Sequence, residues 1–382
     1  MSVSAGAHSI DELRTLARRR LPRAVFDFFD GGAEDERALR GNSGEFSRYP
    51  LVPRVLRDVS HVSLDTEILG GSSTLPLVIA PTGAAGFGWR GADVAIASAA
   101  RSHGVPYTLS TSATASIEQI ANEAKPQRRW FQAYIFRDRA VTDALITRAI
   151  EAGYEGLMIT VDLPVGGKRE RDFRNDFSIP FRYTMKNLLD FASRPGWALP
   201  MLWRGVPTMP NLLGLERAAA GANAIASSVG RNYDPSFSWS DLDAIRRRWP
   251  GKLIVKGIVH TDDARRAVNL GADAIVVSNH GGRQLDAGLS TLSALPAVVR
   301  AVGENTTVLL DGGIRRGSDI VVALALGAKA VLVGRPTLYG ACADGEAGAK
   351  RALAILQDEL RRTMQLCGLS SIAEIDHDVF KQ

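Results

Sequence analysis

Gly271-Ala272-Asp273-Ala274-Ile275-Val276-Val277 and Gly327-Ala328-Lys329-Ala330-Val331-Leu332-Val333 are two copies of one pattern. Each sets a helix-ending glycine ahead of a short apolar run rich in β-branched residues, the way a helix hands over to a strand buried on both faces. A looser copy runs from Gly153 to Ile159. Working outward from these, strands are expected at 77–80, 107–110, 130–134, 157–162, 253–256, 274–279, 308–311 and 330–334, separated by amphipathic helical stretches. Eight βα units predict an α/β fold of the (β/α)8 TIM-barrel type.

Such a barrel accommodates the 382 residues as one domain, because barrels run to about 250 residues and more with insertions. The expected divisions are an N-terminal helical segment (1–75) over one barrel face, the barrel (76–340), an insertion after strand 4 (163–238) and C-terminal helices (341–382). The N-terminal segment opens with Ser9-Ile10-Asp11-Glu12, the spacing of a capping box. The insertion is too long for an ordinary βα loop. Its run Trp197-Ala198-Leu199-Pro200-Met201-Leu202-Trp203 lies between Arg194 and Arg204; aromatic residues beside basic ones suit a membrane interface, and equally a core plug or a subunit contact.

In these barrels the chemistry gathers at the C-terminal strand ends, and polar residues fall there: Thr82, Ser110, Gln132, Tyr134, Asp162, Lys256, His280 and Asp311. The sixth strand runs into Ser278-Asn279-His280-Gly281-Gly282-Arg283. A histidine exchanges protons near neutral pH and an arginine offers a planar fork for a carboxylate, so the pair suits proton removal from a small carboxylic acid. The glycines between them allow a sharp turn and close approach of a ligand. In isolation the stretch would also read as a strand-end turn with a surface His and Arg.

Asp311-Gly312-Gly313-Ile314-Arg315 and Gly334-Arg335 follow the last two strands, where such barrels hold phosphate on backbone N–H groups and a helix N-terminus. Lys256 ends the fifth strand as a Schiff-base nucleophile, a phosphate contact or a cation for a developing anion. Gln132 and Tyr134 share a strand face. Asp162 can orient His280 as the carboxylate of a catalytic triad does, or serve only as a cap.

The formal charge of +5 and pI near 9.3 come from scattered basic residues without a long run, which argues against nucleic acid and favours small anionic ligands or an acidic lipid surface. Two distant cysteines, Cys342 and Cys367, argue against a disulfide framework or a metal site and for a reducing compartment. No apolar run reaches the ~20 residues that span a bilayer, and the first residues lack a signal-peptide core. The expectation is a soluble or peripheral protein on the cytoplasmic side.

An ordered set of motifs resembles the FMN-dependent α-hydroxy acid oxidase and dehydrogenase family, which includes glycolate oxidase, L-lactate dehydrogenase and (S)-mandelate dehydrogenase. The set comprises Leu21-Pro22-Arg23, Gly31-Gly32-Ala33-Glu34-Asp35, Ala80-Pro81-Thr82, Phe131-Gln132-Ala133-Tyr134, Thr160-Val161-Asp162, Lys168-Arg169-Glu170-Arg171-Asp172, Val255-Lys256-Gly257, Ser278 to Asp286, Asp311 to Gly317 and Gly334-Arg335-Pro336. Gly83 and the Arg169 to Asp172 run look most like the mandelate dehydrogenase branch, whose membrane-associating segment the apolar insertion is similar to.

The resemblance implies FMN at the barrel mouth. Pro81, Thr82, Gly83, Ser110, Gln132, Thr160, Lys256 and Ser278 would surround the flavin; Asp311, Gly312, Gly313, Ile314, Arg315, Gly334 and Arg335 would hold ribose and phosphate. It further implies His280 as base, Asp162 as its partner, Arg283 and Arg169 on the substrate carboxylate and Tyr134 on the reacting oxygen. The implied reaction takes an (S)-2-hydroxy acid to the 2-oxo acid and passes electrons to a quinone or other carrier, or to O2 with release of peroxide; the implied assembly is a homotetramer. One position departs. Phe28 stands where the family usually carries a tyrosine that helps bind the carboxylate, and losing a hydrogen bond to a charged group is worth about 1.5–3 kcal/mol, so a bulkier aromatic or aliphatic acid is expected.

Overall fold

The computed structural model describes residues 2–178, 184–212 and 232–381. Eight parallel strands close a barrel: β1 (Leu77–Ile79), β2 (Tyr107–Ser110), β3 (Arg129–Ala133), β4 (Gly156–Thr160), β5 (Lys252–Ile258), β6 (Ala274–Val277), β7 (Thr307–Asp311) and β8 (Ala330–Val333). Strand β8 pairs with both β7 and β1. All eight expected strands are present. The sixth is shorter than expected because residues 278–283 already belong to the site loop.

The glycine pattern does what its position implies. Gly271 and Gly327 have positive φ, Ala272 N–H donates to the Ala267 carbonyl and Ala328 N–H to that of Ala323. These long back-bonds are Schellman closures, which tie off orphan carbonyls at a helix end and aim the chain into the next strand.

Alternation along the strands sorts the core into two sets. One face carries Leu77, Leu109, Phe131, Leu157, Val255, Val277 and Val331 and packs against the surrounding helices. The other fills the barrel with Val78, Trp130, Met158, Ile254, Val276, Leu309 and Leu332. Ile68, from a short hairpin of Thr66–Ile68 and Gly71–Ser73, joins this inner set and plugs the N-terminal end. Two residues further along the strands the inner side chains become Gln132, Thr160, Lys256, Ser278 and Asp311, all buried.

The N-terminal segment therefore serves both ends of the barrel, not the single face expected. Its helices are α1 (Ile10–Arg20), α2 (Arg23–Asp30) and α3 (Arg37–Gly44). Ser9 caps α1, accepting from Glu12 N–H, but the Glu12 carboxylate takes His8 N–H, so the reciprocal bond lies one residue earlier than a capping box puts it. The boundary expected at residue 341 falls inside a helix that runs Arg335–Leu366 and breaks at Asp344 and Gly345.

The insertion contributes helices Glu170–Arg174, Met185–Ala192 and Pro195–Arg204; residues 179–183 and 213–231 of the expected insertion lie outside the described residues. The helix Pro195–Arg204 is divided by face. Trp197 is buried and its indole N–H donates to the Phe87 carbonyl at 2.7 Å, whereas Leu199, Leu202 and Trp203 are exposed, Trp203 to 92%.

Candidate active site

A cavity of about 820 Å³ opens at the C-terminal end of the strands, within the range of small-molecule and cofactor sites. The sixth βα loop forms its floor. Ser278 Oγ accepts from His280 N–H at 3.1 Å and bonds Lys256 Nζ at 2.9 Å, and Asn279 exchanges two amide bonds with Asn42 of α3. A Cβ on Gly282 would lie 2.4 Å from the Leu39 backbone nitrogen, and one on Gly281 2.8 Å from the Arg335 guanidinium. Gly282 thus makes room for α3 and not for a ligand, whereas Gly281 makes room for the Arg335 guanidinium and itself lines the cavity.

His280 Nδ1 lies 2.8 Å from Asp162 Oδ1 and its Nε2 lies 3.3 Å from the Tyr134 hydroxyl. Burial pushes the His280 imidazole below its ordinary value and the nearby Lys256 adds to this, against the pull of Asp162. Burial opposes ionisation of Asp162, yet His280 and Lys256 hold its carboxyl below the usual range. The pair is thus a neutral imidazole on an ionised carboxylate, so the Nδ1 proton points at Asp162 and the Nε2 lone pair is left for the cavity. Burial raises the Tyr134 phenol to about 12, which keeps it a donor.

Asp162 reaches this position through a glycine. Strand β5 bulges between Lys256 and Ile258, Gly257 has φ +109°, and a Cβ there would lie 2.6 Å from Asp162 Cβ. A glycine inside a strand marks such close approach, a signal present in Val255-Lys256-Gly257.

Lys256 is buried with Asp311 Oδ2 at 3.3 Å and Asp162 Oδ2 at 3.9 Å. Burial opposes its charge, but the two carboxylates raise its pKa. It remains an ammonium, which removes the Schiff-base alternative and favours charge stabilisation.

Two arginines enter from either side. Arg283 donates to the carbonyls of Phe28 and Gly31, both at 2.8 Å, and burial with Arg169 and Arg335 nearby lowers it to about 9, still charged at neutral pH. Arg169 Nε bonds Asp172 at 2.7 Å. The rest of the wall includes Phe28, Leu163, Phe173, Phe177, Met209 and Tyr233, beside the polar Ser112, Arg137 and Gln284. The sequence reading missed all of the apolar ones except Phe28. Tyr233 arrives because Asp234 N–H and Asn232 carbonyl bond the Ile135–Arg137 segment past β3, a long-range pairing without a local signature.

The expected cofactor residues divide into a lining and a layer below it. Pro81, Thr82, Gly83, Thr160, Lys256, Asp311, Gly312, Gly313, Ile314, Arg315, Gly334 and Arg335 line the cavity. Ser110, Gln132 and Ser278 do not; they are buried directly beneath, with Ser110 bonded to Gln132 Oε1 at 3.1 Å. Three polar atoms there, Gln132 Nε2, Thr160 Oγ1 and Asp311 Oδ1, have no hydrogen-bond partner among the described residues. Each orphan costs about 1–3 kcal/mol, so their grouping under one cavity marks a site built for a polar ring with donors and acceptors on its edge. This fits a flavin.

The phosphate end fits as well. Arg315 and Arg316 N–H groups donate to Asp319 and Gly317 N–H to Glu359, so carboxylates already occupy the helix N-terminus that follows β7. The backbone N–H groups of Gly313, Ile314, Gly334 and Arg335 donate to nothing among the described residues, and the long C-terminal helix starts at Arg335. That is a free anion site. The Arg335 guanidinium itself is committed to the carbonyls of Phe29, Gly31 and Gly281, so its side chain holds the N-terminal segment rather than reaching for a ligand.

Comparison with known proteins gives the family and the fold. The chain is 43% identical over 375 residues to an L-lactate dehydrogenase of Pseudomonas syringae pv. syringae (strain B728a), covering 97% of each chain. It is 40% identical over 376 residues to the (S)-mandelate dehydrogenase of Pseudomonas putida, covering 98% of this chain and 94% of the other. The crystal structure of a monotopic membrane protein, (S)-mandelate dehydrogenase, superposes with a TM-score of 0.93 at 40% identity, covering 98% and 99% of the two chains. Residues 17–382 match the FMN-dependent dehydrogenase family, and the chain belongs to that family, the FMN-dependent 2-hydroxy acid dehydrogenases and oxidases.

Proposed function

We propose that this chain oxidises an (S)-2-hydroxy acid with an aromatic or long aliphatic side chain to the 2-oxo acid. The observation that carries the reading is the Asp162–His280–Tyr134 chain of polar contacts facing the same cavity as Arg169 and Arg283. Arg283, with Arg169, takes the substrate carboxylate through charge-assisted bonds. The Tyr134 hydroxyl donates to the 2-oxygen. His280 Nε2 accepts a proton from the substrate as Asp162 stabilises the resulting imidazolium, the role of a triad carboxylate. FMN, when bound, supplies the two-electron oxidation.

Pro81, Thr82, Gly83, Ser110, Gln132, Thr160, Lys256 and Ser278 would hold the flavin ring and ribityl chain, and Asp311 to Arg315 with the Gly334 and Arg335 N–H groups the phosphate end. Lys256, as a buried ammonium, favours negative charge on whatever lies above it. The substrate class rests on the apolar wall of Phe28, Phe177, Met209 and Tyr233.

The electrons pass to a quinone or another carrier at the cytoplasmic membrane face. No helix among the described residues is long and apolar enough to cross a membrane. Contact would be peripheral, through the exposed Met185, Leu189, Leu199, Leu202 and Trp203 with Lys186, Arg194 and Arg204 near them, a combination that suits an interfacial surface. Anaerobic addition of (S)-mandelate, then L-lactate, tests the reaction: the bound flavin band should bleach, faster with mandelate, and a band that persists with every 2-hydroxy acid tried sinks the reading. Oxygen uptake that outpaces reduction of a quinone analogue would replace the carrier with O2.

A further inference from the structure

Phe28 removes a hydroxyl from the carboxylate site, yet its surroundings give the ring an electrostatic task. The guanidinium carbons of Arg169 and Arg283 each lie 5.4 Å from the Phe28 ring centroid, inside the roughly 6 Å reach of a cation–π contact. The two cations share a partly desolvated cavity and oppose one another; Arg169 is among the groups that depress Arg283. An aliphatic side chain at this point would strip water from both and return nothing, whereas a ring face presents negative charge to each.

The backbone adds a second hold on Arg283. Helix α2 ends at Asp30, so the Phe28 and Phe29 carbonyls lie in its last turn and lack intrahelical partners. Arg283 caps the Phe28 carbonyl at 2.8 Å and Arg335 that of Phe29 at 3.1 Å, the end of a helix where cations are favoured. The ring is itself oriented, stacked on Phe177 with centroids 4.6 Å apart and edge-on to Phe29 at 5.3 Å. At its other end α2 is held by the insertion, since Asp190 accepts from the backbone N–H groups of Arg23 and Ala24.

We propose that Phe28 is a positioning residue whose ring face holds Arg169 and Arg283, and whose carbonyl fixes Arg283, at the spacing that receives the substrate carboxylate. The inference deepens the function proposed above and rests on its assignment of those two arginines to the carboxylate. A phenol at this position is then dispensable, because the ring and not the hydroxyl organises the site.

The test replaces Phe28 with phenylalanines bearing one, two and three fluorines, which drain charge from the ring face with little change of shape. KM for the hydroxy acid, and Kd for phenylacetate as an unreactive carboxylate, should climb with each fluorine while kcat moves by less than about twofold. Phe28→Leu should raise both constants by about 5- to 30-fold, and Phe28→Tyr, which keeps the ring, should match the parent or bind more tightly. A flat fluorine series, alongside an Arg283→Lys variant that does bind phenylacetate poorly, overturns the role of Phe28 and leaves the carboxylate assignment standing. If Arg283→Lys and Arg169→Lys both bind phenylacetate as the parent does, the assignment of the arginines fails and takes the proposal with it.

Discussion

Trp130 and Gln132, Met158 and Thr160, Ile254 and Lys256, and Leu309 and Asp311 are pairs two residues apart on single strands, all buried inside the barrel. The first member of each pair fills space with dispersion contacts, and of the four only Trp130 carries a polar group, its indole N–H donating to Glu155 at 2.7 Å. The second brings a polar group into the same interior, and Gln132 Nε2, Thr160 Oγ1 and Asp311 Oδ1 stay unpaired there. The barrel thus concentrates its stability in one layer and its unmet hydrogen-bonding capacity in the next. Among the described residues Thr108 Oγ1 and Arg129 Nε are orphaned as well, but it is under the C-terminal cavity that orphaned atoms gather, where a bound ligand can offset their cost.

That contrast predicts very different responses to substitution. His280→Ala removes the acceptor above the polar layer and should lower kcat/KM by about a thousandfold, with the flavin band retained; steady-state kinetics on the yellow protein reads it. Lys256→Met leaves Asp311 and Asp162 as buried charges without their cation and should destabilise the fold by about 3–5 kcal/mol, read by denaturant unfolding.

Acid should weaken the polar layer as well. His280 titrates below its ordinary value when folded, so the unfolded chain binds that proton more readily. Its contribution is complete above the unfolded value of about 6.5 and is lost as pH falls through the lower folded value. Asp162 is also depressed when folded, so its contribution goes in the same direction at lower pH. Stability and kcat/KM should both decline on the acid side, the rate limb lying below pH 6.5; a limb above neutrality would contradict a neutral His280. By comparison Ile254→Val in the apolar layer should cost only about 0.5–1.5 kcal/mol and leave turnover unchanged.

Much of the site was legible because strand ends are legible. His280, Asp162, Lys256 and Asp311 were found as polar residues terminating apolar runs, and the structure brings all four together. Tyr233, Met209 and Phe177 were not found, since they arrive on an insertion whose return to the barrel is set by backbone pairing with Ile135–Arg137. Gly282 was read as room for a ligand when it is room for α3; sequence spacing shows that space is needed and not what fills it.

The sequence by itself determined the barrel, through glycine-stopped helices feeding β-branched strands, and determined which end carries the chemistry, through the switch from Ile254 to Lys256 and from Leu309 to Asp311. These are local signals, written in periods of two and in single turns. Only the tertiary structure decided that Arg335 serves carbonyls, that Gly257 yields its side-chain space to Asp162 and that Phe28 meets both arginines. Each of those depends on segments far apart in the chain meeting at contact distance, and no local pattern records which distant atoms will fill a given space.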